Sequence, residues 1–147
     1  MPDKAPVCKI LTVDDQMGID SFFYEFFSVR NYEVFNALSG KEAIEIVKKH
    51  KPRIVLLDIK MRGMDGIETL KAIKARYPLI EVIMLTGHAT VESAIDGMKD
   101  GALDYLMKPC DLDVLMAKVR EAKNKKAAQE AKIAEARAMS IYHRRGD

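Results

Sequence analysis

The chain has 147 residues, of which 48% are hydrophobic and 31% charged. This predicts one globular domain with a buried core and excludes an intrinsically disordered chain. The formal net charge of +2 gives no reason to expect binding to nucleic acid or to an anionic membrane. The charge is uneven, because seven basic residues stand against four acidic ones from Glu121 onward. We expect a domain over residues 1–121 and a basic, helical extension over residues 122–147.

The sequence has no pattern that would direct it to a membrane or out of the cell. Apolar runs such as Ile54–Leu57 are far shorter than the roughly 18 residues that a bilayer span requires. The segment Met1–Lys9 is polar and has no apolar stretch of signal-peptide length. Cys8 and Cys110 are the two cysteines, too few for a disulfide framework. We therefore expect a cytoplasmic protein with free thiols.

Five short apolar runs predict buried strands of a parallel sheet that is covered on both faces. Helical segments lie between them. Ser39 with Glu42 predicts the start of one helix, and Asp65 with Glu68 the start of another. Gly101 predicts the end of a third. The predicted strands are Lys9–Val13, Glu33–Asn36, Ile54–Leu57, Val82–Leu85 and Tyr105–Met107. This alternation predicts an α/β fold, a doubly wound parallel sheet with right-handed crossovers.

The first predicted helix is rich in aromatic residues: Phe22, Phe23, Phe26 and Phe27 surround Tyr24. Pairs at i and i+4 place them on adjacent faces of the helix. We expect them to pack against the sheet as core, in preference to forming an aromatic platform for a ligand.

Polar side chains stand where the predicted strands end. Asp14 and Asp15 follow the first strand, and Asp58 follows the third. Thr86 and Lys108 end the fourth and fifth strands. In open α/β sheets, ligands gather at the carboxyl ends of the strands, where the winding reverses. If the first and third strands are neighbours, the three acids converge.

The charge of this group favours phosphoryl chemistry with a cation. Three ionised acids and one lysine leave a net negative site that recruits a cation, and oxygen ligands suit Mg²⁺. Lys108 and Thr86 can then offer a cation and a hydroxyl donor to phosphoryl oxygens. A carboxylate that attacks phosphorus gives an acyl phosphate.

At these residues the sequence resembles the receiver domain of two-component response regulators, from about Cys8 to Glu121. The motifs that carry the resemblance are Val13-Asp14-Asp15, Leu57-Asp58-Ile59, Met64-Asp65-Gly66, Leu85-Thr86-Gly87 and Lys108-Pro109. The resemblance implies the flavodoxin-like strand order 2-1-3-4-5 with five helices, the last of them extended. The sequence near residues 85–89 and 104–112 is similar to that of receivers that precede ATPase-type transcription activators. A stand-alone regulator and the receiver portion of a larger activator both stay open.

The resemblance implies a phosphorylation-activated signalling switch. Asp58 would accept a phosphoryl group from a sensor histidine kinase, and the resulting conformational change would control a partner or effector. Asp15 and Asp58 would ligate Mg²⁺ together with the backbone carbonyl of Lys60. Asp14 would contribute through water, and Lys108 would pair with the phosphoryl group.

The resemblance also implies how the switch works. Thr86 and Tyr105 would be the switch pair, in which the hydroxyl moves toward the phosphoryl group and the ring turns inward. Pro109 would follow Lys108 through a cis peptide bond. A homodimer through the fourth helix, fifth strand and fifth helix is consistent with the resemblance, and the effector is unknown.

The sequence departs from the family pattern at several positions near the site. Arg62 stands where proline is usual, and Gln16 replaces a frequent acid. Lys60 and His88 occupy positions that tune how fast the acyl phosphate hydrolyses in the family. We expect Lys60 to affect the phosphoryl lifetime without being needed for phosphorylation. We do not expect His88 to ligate a metal, or Cys110 to have a redox role.

The last helix is expected to start near Leu112, capped by Asp111, and to run about 40 Å if continuous to Ala138. Three interpretations of the extension stay open: a solvated linker, a dimerising arm, or a contact with nucleic acid. We expect direct nucleic-acid binding least, because acidic residues interrupt the basic stripe. Its basic residues are Lys125, Lys126, Arg144 and Arg145, and the interrupting ones are Glu130 and Glu135.

Two other functions compete with the switch. A receiver-like protein-binding module would never be phosphorylated. A phosphatase with an aspartyl nucleophile would resemble haloacid dehalogenases, which need a second Asp two residues after the nucleophile, where this chain has Lys60. We therefore expect no turnover of an outside substrate. The chain would be a phosphoacceptor that assists its own phosphorylation and dephosphorylation, not an enzyme.

Overall fold

The computed structural model describes residues 7–59, 65–87 and 91–145. Strands and helices alternate along the chain as the sequence predicts, and the predicted strand bounds are short by at most one residue at each end. The elements are β1 (Cys8–Val13), α1 (Met17–Ser28), β2 (Tyr32–Ala37), α2 (Gly40–His50), β3 (Ile54–Leu57), α3 (Gly66–Arg76), β4 (Glu81–Thr86), α4 (Val91–Lys99), β5 (Asp104–Met107) and α5 (Leu112–Arg145).

The strands form one parallel sheet of five strands in the order β2-β1-β3-β4-β5. This confirms the predicted fold class and strand order. β1 lies between β2 and β3, so the winding of the chain reverses beside it. Val13, the last residue of β1, is level with Ala37 on one side and Leu57 on the other. The residues that follow β1 and β3 therefore emerge side by side.

The sheet carries an apolar core on each face, because successive side chains of a strand point to opposite sides. Leu57 and Ile73 are fully buried in the core beneath α2 and α3. The preceding residue, Leu56, belongs to the other core, with Phe27 of α1 and Leu115 of α5. Near-continuous apolar strands thus supply both cores at once.

Hydrogen bonds between side chains and the backbone confirm the two predicted helix starts, and a backbone angle confirms the predicted helix end. The Ser39 hydroxyl accepts from the N–H of Glu42 at 3.1 Å, and the Asp65 carboxylate accepts from the N–H of Glu68 at 2.8 Å. Each satisfies an N–H group that has no partner within its helix. Gly101 ends α4 with φ of 101°, a conformation that glycine adopts without steric cost.

The aromatic residues of α1 divide between core and surface. Phe27 is fully buried and Phe23 is 8% exposed, whereas Phe22 and Tyr24 are each 50% exposed. Phe26 is partly buried against the same core. The expectation that all four phenylalanines pack as core was wrong for Phe22, because the helical repeat turns this position away from the sheet.

α5 begins at Leu112, and the Asp111 carboxylate accepts from the N–H of Asp113 at 2.7 Å, as predicted. The helix has 34 residues and ends at Arg145, beyond the predicted end at Ala138. Its length is about 50 Å at roughly 1.5 Å per residue. The residues that pack it on the sheet, all fully buried, are Leu115, Val119 and Ala122. None of the helices in the described ranges is both long and apolar enough to cross a membrane.

Candidate functional site

Three carboxylates meet at the carboxyl end of the sheet. Asp14 and Asp15 follow β1, Asp58 follows β3, and one carboxylate oxygen of each lies within 4.8 Å of the others. Asp14 and Asp58 are buried and Asp15 is partly buried. The side-by-side register of β1 and β3 brings these residues together, as the sequence predicts.

Backbone hydrogen bonds fix the two buried acids. The N–H of Asp58 donates to the carbonyl of Val13 at 2.9 Å. The N–H of Asp14 donates to the carbonyl of Ala37 at 3.1 Å, and its carboxylate accepts from the N–H of Gln16 at 2.9 Å. The sheet therefore fixes the backbone positions of both acids, so the backbone needs little reorganisation for these acids to bind a ligand.

Gly66, the first residue of α3, lies directly against the backbone of Asp58 and Ile59. The N–H of Gly66 donates to the carbonyl of Ile59 at 2.7 Å. A Cβ atom at residue 66 would lie 2.2 Å from the carbonyl oxygen of Asp58 and 2.4 Å from the Cα of Ile59. Such distances are far inside van der Waals contact, so this approach requires glycine. The sequence marks Gly66 as part of a motif but does not reveal what it touches.

Lys108 brings a positive charge into the acidic cluster. Its Nζ forms an ion pair with the Asp14 carboxylate and lies 3.6 Å from Oδ2 of Asp58. The lysine side chain is 19% exposed, so it is held between the two carboxylates with limited access to water. The Lys108–Pro109 peptide bond is cis, as predicted.

The donor set fits a hard divalent cation. Three carboxylates and one ammonium group leave a net charge of −2 if all are ionised. Asp14 and Asp58 both face Lys108, and Asp15 adds a third carboxylate oxygen within 4.8 Å of theirs. Oxygen ligands of this kind are those that Mg²⁺ takes, with water completing its coordination.

The predicted switch residues lie on adjacent strands. Thr86 is the last residue of β4 and is level with Met107 of β5. Tyr105 is level with Met84 and is partly buried against the core beneath α2 and α3. The Thr86 side chain lies outside what the structure describes, so the switch role of the pair stays a prediction.

Three residues near the site, named from the sequence, fall outside the described ranges. They are Lys60, Arg62 and His88. The predicted metal contact of the Lys60 carbonyl and the predicted effects of these side chains stay predictions.

An apolar cavity of about 420 Å³ lies beside the acidic cluster. It separates α1 from the segment that connects β5 to α5. Sequence reasoning missed it; the signal was the aromatic-rich first helix, in which Phe22 is half exposed and lines the cavity together with the buried Phe23. Its lining includes Phe22, Phe23, Leu85, Lys108, Pro109 and Cys110.

Cys110 is partly buried at this cavity, and burial raises the pKa of its thiol. The nearby Lys108 acts in the opposite direction but is the smallest contribution. A raised pKa keeps the thiol protonated at neutral pH, which disfavours the thiolate that redox chemistry needs. The structure therefore supports packing as the role of Cys110.

Comparison with known proteins identifies the family. Residues 10–120 match the model of the response regulator receiver domain. The chain belongs to this family. A receiver domain is a signalling module of two-component regulatory systems, in which a kinase is the partner that controls it. The matched residues include the acidic cluster, Gly66, Thr86 and Lys108.

Individual relatives differ greatly in length. The transcriptional regulatory protein ZraR of Escherichia coli (strain K12) is 42% identical over 113 residues, which are 77% of this chain and 26% of ZraR. Sporulation initiation phosphotransferase F of Bacillus subtilis (strain 168) is 41% identical over 113 residues, which are 77% of this chain and 91% of that protein. The chain thus spans about a quarter of one relative and most of the other.

A solved structure shows the same architecture. The CheY-like response regulator receiver domain protein from Methanospirillum hungatei JF-1 superposes with a TM-score of 0.82 at 28% identity. The superposition covers 84% of this chain and 99% of that one.

Proposed function

We propose that Asp58 is the phosphoacceptor of this receiver domain and that a histidine kinase is the phosphodonor. The observation that carries the proposal is the position of its carboxylate, buried beside two further acids with the Lys108 ammonium 3.6 Å away. Attack of the carboxylate oxygen on phosphorus forms the acyl phosphate. The bond between phosphorus and the donor's histidine nitrogen breaks at the same step, and the imidazole leaves. Lys108 then pairs with a phosphoryl oxygen.

We infer that Mg²⁺ is the cofactor. Asp15, Asp58 and the backbone carbonyl of Lys60 would hold the ion, and Asp14 would contribute through water. The clustering of the three carboxylates supports this assignment, because it places one oxygen atom of each acid within 4.8 Å of the others, close enough to share one ion. When bound, Mg²⁺ neutralises the charge that would otherwise repel a dianionic phosphoryl group.

The domain would respond to phosphorylation through Thr86 and Tyr105. Thr86 ends the strand beside the acidic cluster, and Tyr105 lies on the next strand. A phosphoryl group shifts the equilibrium only by binding one conformation better than the other. We propose that the Thr86 hydroxyl supplies that difference and that the Tyr105 ring turns inward to fill the space beside it.

The output surface would be the face formed by α4, β5 and α5. Large apolar side chains of these three elements are close to half exposed, and we propose that they form one patch for a protein contact. A second copy of the chain would cover this patch in a homodimer. The exposed residues are Ile95, Met98, Met107 and Val114.

A stand-alone regulator and the receiver portion of a larger activator are both supported by relatives. Sporulation initiation phosphotransferase F has nearly the length of this domain, whereas ZraR is about four times as long as the matched segment. Either way, we propose that the domain works in the cytoplasm and turns over no outside substrate.

One experiment tests the phosphoacceptor, the cofactor and the output surface. The chain is incubated with a small-molecule phosphodonor with and without Mg²⁺, and intact mass and oligomeric state are measured. We expect a gain of one phosphoryl group that requires Mg²⁺ and disappears in Asp58→Asn. Glu45→Gln, which alters an exposed acid on α2 away from the proposed output surface, should behave like the unchanged chain.

The alternatives predict different outcomes. No mass gain under any condition would support a protein-binding module that is not phosphorylated. Continuous consumption of the phosphodonor far beyond one equivalent, at the rate of an enzyme, would support a phosphatase. A mass gain with dimerisation would support the output surface named above.

A further inference from the structure

A buried carboxylate lies at the end of the sheet opposite the acidic cluster. Glu81 is the first residue of β4, and its side chain is 3% exposed. An ionised carboxylate in such a position is costly unless a cation accompanies it. The cation is Lys125 of α5, whose Nζ lies 3.4 Å from Oε2 of Glu81.

The partner of this core carboxylate comes from outside the family match. The receiver domain match ends at residue 120, and Lys125 lies five residues further along α5. Ala122, between them, is fully buried. The first part of the extension is therefore packed on the receiver, and its last described ion pair with the sheet is at Lys125.

A second ion pair holds the same face of α5. The Nζ of Lys118 lies 2.7 Å from Oδ2 of Asp104, the first residue of β5. This hydrogen bond raises the pKa of Lys118. Lys118 and Lys125 are seven residues apart, which places them two turns apart on one face of the helix. The helix thus pairs with the first residue of each of two neighbouring strands.

β4 connects this anchor to the phosphorylation site. The strand has six residues, with Glu81 at one end and Thr86 at the other. Its length is about 20 Å at roughly 3.3 Å per residue. The anchor and the acidic cluster therefore lie at opposite ends of the sheet, joined by one strand.

We propose that the Glu81–Lys125 ion pair anchors the helical extension to the receiver. The extension is then a continuation of the folded domain at least as far as Lys125. This goes beyond the proposed phosphoacceptor function and does not depend on it, because the anchor exists without phosphorylation.

Hydrogen exchange of the full chain, followed by mass spectrometry, tests the anchor. In Lys125→Met and Glu81→Gln, we expect amides of residues 120–130 to exchange at least about fivefold faster than in the unchanged chain. Amides of α2, on the other face of the sheet, should be unaffected. Lys125→Arg keeps the charge and should retain the protection of the unchanged chain. Arg137→Gln alters an exposed basic position on the extension and should leave exchange near residue 125 unchanged.

The double variant distinguishes two side chains that act together from two side chains that act independently. If the two side chains act as a pair, Glu81→Gln combined with Lys125→Met should be no faster than the faster single variant. Additive acceleration, unchanged exchange, or acceleration spread evenly over all elements would each overturn the anchor. Should Glu81→Gln fail to fold, Lys125→Met and Lys125→Arg alone decide, because Lys125 is 46% exposed.

Discussion

Replacing Gly66 by alanine is expected to impair phosphorylation far more than it impairs folding. The added Cβ would lie 2.2 Å from the carbonyl oxygen of Asp58 and 2.4 Å from the Cα of Ile59. Both obstacles are backbone atoms, so no side chain can swing aside to make room. Either α3 or the segment that carries Asp58 has to move by about 1 Å, since such contacts need roughly 3.2 Å or more.

The two effects differ in size. Overpacking of this kind costs about 1–3 kcal/mol of unfolding free energy, and a single domain typically has about 5–15 kcal/mol. Gly66→Ala should therefore remain mostly folded. A displacement of about 1 Å at a reacting group can lower its rate by around 100-fold. We expect the rate of phosphorylation at saturating Mg²⁺ and phosphodonor to fall between about 10-fold and 100-fold.

The assay combines urea unfolding with phosphorylation kinetics by intact mass. Ile73→Val is the matched control, because Ile73 is fully buried on the same helix and the substitution costs about 0.5–1.5 kcal/mol. It should lose stability but keep the rate. If Gly66→Ala is destabilised and still phosphorylated at the rate of the unchanged chain, the glycine serves packing alone and does not position Asp58.

Two further predictions concern the burial of single side chains, and a third concerns a position that the family resemblance singles out. Phe27→Ala should lose about 3–5 kcal/mol in urea unfolding, whereas Phe22→Ala should lose under about 1 kcal/mol; equal losses would contradict the assigned faces of α1. Because the pKa of Cys110 is raised, its alkylation by iodoacetamide at pH 8 should be slower in the folded chain than in urea, and an equal rate would count against burial. Lys60→Ala should change the lifetime of the phosphoryl group, read by the decay of the mass gain, and leave its formation intact; an unchanged lifetime would refute that role.

The fold was predictable because its signals are local. Each strand is a short apolar run, and each cap is a side chain within three residues of the N–H group it binds, as at Ser39 and Asp65. The convergence of Asp14 and Asp58 needed one further piece, the adjacency of β1 and β3. That order came from the resemblance and is confirmed by the sheet.

The remaining features depend on tertiary contacts that no local pattern contains. Phe22 and Phe27 are equally apolar, and only the packing of α1 against the sheet decides which is buried. The pairing of Glu81 with Lys125 joins residues 44 apart in the chain. Gly66 has no side chain whose chemistry would indicate what it contacts, so its close approach to the Asp58 backbone is seen only in the structure.

If Asp58 carries the phosphoryl group, the position of that group in the chain can be read directly. The chain is phosphorylated with a small-molecule donor and Mg²⁺, reduced with borohydride, and sequenced by tandem mass spectrometry, because reduction of an aspartyl phosphate leaves homoserine at the modified position. We predict homoserine at position 58. Homoserine at Asp14 or Asp15 with Asp58 unmodified, or a phosphorylated chain in which no aspartate is reduced, would contradict the proposal that Asp58 is the phosphoacceptor.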